Sequence, residues 1–134
     1  MIDCEEEVYT RLADILRETY DDGIYVTGEY VRAPSSFPHV SIVMMDNPSL
    51  KQWQDNRLED VMVEPVFEIN VYSNKRGAKK TECKAIANTI DNALTKMNFR
   101  RVAYTPVPNL ENATIYRIVM RYRGMTDGTY FYRR

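Results

Sequence analysis

The chain has 134 residues, of which 44% are hydrophobic and 28% charged, and its formal net charge is −1. This is enough for one domain with an unstapled core, and the composition excludes a disordered chain. No apolar run approaches the roughly 20 residues of a membrane-spanning helix, and the acidic opening Glu5-Glu6-Glu7 lacks the apolar region of a secretory signal.

Asp3 is placed to cap a first helix, with Glu6 three residues later completing a capping box. Val8, Leu12, Ile15 and Leu16 recur at helical spacing to about residue 19, and Asp21-Asp22-Gly23 supplies the turn that ends the helix. Residues 24–31 read as a strand with Gly28 as a bulge, and the two prolines of 33–38 mark a loop. A second strand, 39–46, puts Val40, Ile42 and Met44 on one face and Val43 and Met45 on the other, which implies burial on both sides or a contact between subunits. Residues 47–60 form a long polar excursion around the only tryptophan, Trp53. Loops of more than about 12 residues are uncommon and tend to be functional or disordered.

The clearest structural signal spans 61–97. Phe67, Ile69 and Val71 alternate with Glu68 and Asn70, the period of a half-buried strand. Ser73-Asn74-Lys75-Arg76-Gly77 is a turn, and Cys83, Ile86, Ala87, Ile90, Leu94 and Met97 then form one helical stripe. A strand at 99–104 is closed by Thr105-Pro106-Val107-Pro108-Asn109. In 113–123, Tyr116, Ile118, Met120 and Tyr122 alternate with Arg117, Val119 and Arg121, giving one apolar and one basic face. Residues 124–128 are a turn and 129–132 a short last edge strand. The expectation is a single α+β domain over 1–134: two helices packed on a mostly antiparallel sheet, in the order α-β-β-β-α-β-β with a possible final β.

No catalytic constellation accompanies these elements, so the chain reads as a non-enzyme without cofactor or metal. His39, the only histidine, has no motif partner and reads as structural. Cys83 lies on the apolar stripe and Cys4 beside three glutamates, so neither is an activated thiol, and two distant cysteines make neither a disulfide framework nor a zinc site. A reducing compartment is the default. The segment 73–80 joins a strand to a helix but lacks the glycines of a phosphate loop. Glu59, Asp60, Glu64 and Glu68 are too scattered for a metal.

The near-neutral total hides a polarity: residues 1–70 hold 15 acids and 5 bases, and residues 71–134 hold 4 acids and 13 bases. Either the two sets neutralise one another at the surface, or they mark a complementary partner. Lys75, Arg76, Lys79 and Lys80, with Lys84, cluster at one strand-to-helix junction, where lysines oppose the helix dipole. They and the arginines of the last strand could face phosphates or simply solvent. Trp53 is either a satellite of the core or an interface anchor; with Leu50 and Arg57 it forms a candidate interface loop, joined by Tyr130 and Tyr132 near the C-terminus.

The strand end Ile69-Asn70-Val71-Tyr72-Ser73-Asn74, the Lys/Gly turn and the helix opening Lys79-Lys80-Thr81-Glu82-Cys83-Lys84-Ala85-Ile86-Ala87 resemble the tail-terminator, or tail-completion, family of long-tailed bacteriophages and prophages. The N-terminal helix, the long loop before the central strand and the Arg- and Tyr-rich final strands follow the same order. The resemblance implies a virion structural protein, assembled in the host cytoplasm, that caps the tail tube as a homo-oligomeric ring, a hexamer. It implies contacts with the major tail tube protein and the head-completion or connector protein. DNA would pass through the hole without sequence recognition, and no membrane is involved. Lys75, Arg76, Lys79 and Lys80 would face the lumen or a neighbour. Two alternatives stand beside it: another head–tail joining protein, such as a stopper or adaptor, and a small nucleic-acid-binding module.

Overall fold

The computed structural model describes residues 1–50, 61–108 and 113–133. Two helices, α1 (Glu5–Tyr20) and α2 (Lys79–Lys96), pack on a five-stranded sheet. The strands are β1 (Tyr25–Thr27), β2 (His39–Asp46), β3 (Val66–Ser73), β4 (Arg100–Pro108) and β5 (Tyr116–Arg123). They lie in the order β1-β2-β3-β5-β4, and every pairing is antiparallel except β1 with β2. The fold is α+β with elements in the order α-β-β-β-α-β-β.

Alternation in the strands decides which side chains meet the helices. Val40 and Ile42, Phe67, Ile69 and Val71, and Ile118, Met120 and Tyr122 point to one face. They close over Val8, Leu12 and Leu16 of α1 and Ile86, Ile90 and Leu94 of α2, all fully buried. α1 lies over β2 and against α2, while α2 lies over β3, β5 and β4. α2 ends in a Schellman arrangement: Asn98 takes a φ of 66°, and the amides of Phe99 and Asn98 bond the carbonyls of Leu94 (2.9 Å) and Thr95 (3.0 Å). Phe99 then stacks between Phe67 and Phe131, with centroids 5.7 and 5.4 Å away. Gly124 is buried against that ring, because a Cβ there would lie 2.7 Å from it.

Several local expectations change. The capping box does not form. Asp3 Oδ1 accepts the Glu5 amide (3.0 Å), Cys4 takes the N-cap position without a side-chain bond, and Glu5 accepts the amide of Met44 at 2.9 Å. Helix entry is thus tied to β2 through Glu5 as well as to the Asp3 carboxylate. The strand expected over 24–31 stops at Thr27. The following segment crosses the sheet face away from the helices, where Ser41 donates to the Glu29 carbonyl (2.8 Å) and Tyr72 to that of Val31 (2.9 Å). These tertiary bonds override strand propensity. Gly28 is not a bulge but packs against the Tyr9 ring.

β4 does not close at Tyr104; it runs through Pro106 and Pro108 to pair with Ile118 and Tyr116. Prolines are tolerated because β4 is an edge, with β5 on one side only. β5 begins at Tyr116, three residues later than expected, and no strand forms at 129–132, where a single bridge joins Thr126 to Phe131.

Candidate assembly surfaces

The segment after β2 returns along itself. Leu50 donates to the Met62 carbonyl and Glu64 to that of Pro48, both at 2.9 Å, so the legs of the excursion pair as antiparallel ribbon. Val63 bonds Thr126 on its other side in both directions, at 2.9 and 3.0 Å. Beyond the main sheet, β2, β3 and β5 therefore continue as a narrow second ladder in the order 49–63–126–131. The connection between the legs, with Trp53 and Arg57, lies outside the described residues. Leu50 sits half-buried on the leg that carries it.

The C-terminal segment is fixed to the same end. Asp127 Oδ1 accepts the amides of Thr129 and Tyr130, each at 2.8 Å, and its Oδ2 accepts the Tyr132 hydroxyl at 2.7 Å. These bonds hold the Asp127 carboxyl below its ordinary pKa and raise that of Tyr132. Asn98 donates to the Phe131 carbonyl (2.9 Å), locking the segment to the end of α2. Tyr130 and Tyr132 meet edge to face and remain exposed, Tyr130 at 66%. The structure thus brings Leu50, Tyr130 and Tyr132 to one end of the molecule.

The basic junction at the start of α2 is ordered by Ser73, which donates to Glu82 at 2.6 Å and accepts the Lys75 amide at 3.2 Å. Gly77, at a φ of 78°, lets the chain turn into the helix. Lys75, Arg76 and Lys80 are exposed, whereas Lys79 is half-buried and its Nζ donates to the Ala113 carbonyl at 2.9 Å. The arginines of β5 differ. Arg117 makes two bonds to Asn70 Oδ1 (3.0 and 2.8 Å) and lies over the Tyr72 ring. Arg121 lies 3.9 Å from Glu68 and Arg123 lies 3.3 Å from Glu64. The strand face that reads as basic is internally matched.

A further feature was missed in the sequence. Between α2 and β4 runs an open groove of about 440 Å³, lined by Lys80, Lys84, Asn88, Asp91, Arg101 and Tyr104 among others. Asp91 anchors its wall, accepting from the buried Tyr122 hydroxyl (2.6 Å) and from Arg101 (3.2 Å). Lys80 and Lys84 were visible as an i,i+4 pair, but Arg101 and Tyr104 join them only because β4 is the outer strand.

The other displaced ionisable groups have structural causes. Burial raises Cys83 to about 12 and Cys4 to about 11, with the neighbouring acids adding to the effect. The Cys83 Sγ lies 3.4 Å from the Tyr116 carbonyl oxygen and 3.7 Å from that of Val71, which are alternative acceptors for its one S–H hydrogen. Burial lowers His39, whose ring packs edge to face on Tyr72 and whose Nε2 lies 3.2 Å from the Thr27 hydroxyl. Among the described residues no group of three His, Cys, Asp or Glu could hold a metal, and no helix is long and apolar enough to cross a membrane. No known protein-family description and no curated protein matches the chain.

Proposed function

We propose that this chain is a structural protein of a phage tail, a tail terminator that assembles as a ring on the end of the tail tube and meets the head connector. The observation that carries the reading is the end formed by the second ladder. The legs at 49 and 63 pair with one another, and Thr126 and Phe131 hold the exposed Tyr130 and Tyr132 beside them. A rigid scaffold that offers aromatic side chains from an ordered end is suited to binding other proteins. The element order α-β-β-β-α-β-β agrees with the arrangement the resemblance implies. A stand-alone nucleic-acid module is supported less well, because Arg117, Arg121 and Arg123 are engaged by Asn70, Glu68 and Glu64.

The test is deletion of the gene from the phage or prophage that encodes it. The expected result is tails of abnormal length that fail to join heads, with purified protein restoring joining and appearing as a ring at the tube end by electron microscopy. Normal, joined virions from the deletion would overturn the reading.

A further inference from the structure

We infer that neighbouring copies of this chain join head to tail through their helix layers, the acidic outer face of α1 in one copy seating in the basic groove between α2 and β4 of the next. The inference rests on the ring reading above and names the surfaces that would build the ring.

Charge is segregated by element. Residues 3–22, spanning α1 and its turn, hold eight acids and two bases, and residues 75–104, spanning α2 and the first half of β4, hold eight bases and two acids. The fold keeps these groups apart. α1 lies toward the β1–β2 side of the sheet, and α2 spans β3, β5 and β4 on the other side. The acidic and basic surfaces are therefore opposite flanks of one layer, with the core between them, and cannot meet within a molecule.

Their shapes also correspond. Glu7, Arg11, Asp14 and Glu18, at i, i+4, i+7 and i+11, form one exposed strip opposite Val8, Leu12 and Leu16, in which Arg11 pairs with Glu7 at 3.1 Å and Asp14 and Glu18 supply the net negative charge. At 1.5 Å per residue the strip runs about 16 Å. In the groove, Lys80 and Lys84 are exposed one turn apart, Arg101 faces them from β4, and Tyr104, 40% exposed, adds an apolar wall. Among the described residues, Asp14, Glu18, Lys80 and Lys84 take part in none of the ion pairs, which are Glu7–Arg11, Asp91–Arg101, Glu68–Arg121 and Glu64–Arg123. A two-fold contact of either flank with itself would set like charges together. A head-to-tail contact sets opposite charges together at every joint, and a rotation that closes makes a ring.

Two variants test this: Asp14→Lys with Glu18→Lys, and Lys80→Glu with Lys84→Glu. All four positions are exposed, so both variants should fold, which circular dichroism and melting verify. Association is read by sedimentation and light scattering in solution and by microscopy on purified tail tubes. Each variant alone should associate about tenfold or more weakly. An equimolar mixture should recover, because in alternating order one joint sets the lysine-bearing α1 against the glutamate-bearing groove and the next sets the unchanged acidic α1 against the unchanged basic groove, so both joints are complementary. Wild-type association by either variant, or a mixture as weak as its components, overturns the inference. If both variants cap tubes as the wild type does, the docking surfaces fall and the functional reading stands. Self-association that obeys the charge pattern without any binding to tubes does the reverse. A wild-type chain that is monomeric both in solution and on tubes overturns both.

Discussion

The two faces of the sheet are built from the same strands but closed by different physics. On the helix side, β2, β3 and β5 contribute Val40, Ile42, Phe67, Ile69, Val71, Ile118 and Met120, all fully buried and held by apolar packing. On the other side the same strands contribute His39, Ser41, Asn70 and Tyr72, also buried, but each with a polar partner: the crossing segment takes up Ser41 and Tyr72, Thr27 meets His39, and Arg117 binds Asn70. Farther along that face, burial gives way to the solvent-exposed pairing of Arg121 with Glu68. Apolar burial contributes through area wherever it occurs, whereas buried polar groups contribute only while every partner is present. The far face is therefore more specific in its partners and less tolerant of single polar losses than its exposure suggests.

Substitutions should grade accordingly. Phe67→Ala removes the ring on which Phe99 rests, and should lower unfolding free energy by about 3–5 kcal/mol in urea denaturation. Asn70→Ala leaves the Arg117 guanidinium without its double acceptor beside a buried cavity, and should cost about 1–3 kcal/mol by the same measurement. Its destabilisation should exceed that of any exposed polar change on this face, and equality with Glu68→Ala would break the distinction drawn above. Acid should act next through His39. Burial holds its pKa in the fold below the ordinary 6.5, so below that pH the unfolded chain takes up a proton that the fold resists. Melting temperature should fall as pH drops from 6.5 through the lower folded value, and His39→Gln should flatten that part of the profile. Glu68→Ala should be the mildest, below about 1 kcal/mol, because a partly exposed pair at 3.9 Å is screened by water.

The sequence made β2, β3, β5 and α2 legible because their apolar residues keep a period of two or of three to four without interruption. It failed where lateral position decided the outcome. Pro106 and Pro108 read as a loop, and only the edge placement of β4 allows them in a strand. Residues 28–31 have strand-like composition, yet the Ser41 and Tyr72 hydroxyls draw their backbone across the far face. The candidate surfaces follow the same division. The lysines of 75–84 were visible as a cluster, but sequence could not show that Lys79 is held by the Ala113 carbonyl or that Arg101 faces Lys80 across a groove. Tyr130 and Tyr132 were visible as aromatics, while their fixation by Asp127 depends on a turn that side-chain bonding builds.

The prolines of β4 carry one more consequence. Two residues apart, they turn their nitrogens to the same lateral side, the one away from β5, and neither nitrogen has a hydrogen to offer. Along that half of the strand, an approaching β-strand finds carbonyls but no donors, and cannot zip on as a sixth member of the sheet. Uncontrolled fusion of sheets from different copies is thereby discouraged where the edge is longest. Whatever meets this flank must be recognised by its side chains, a form of contact that can be specific in charge and reversible during construction.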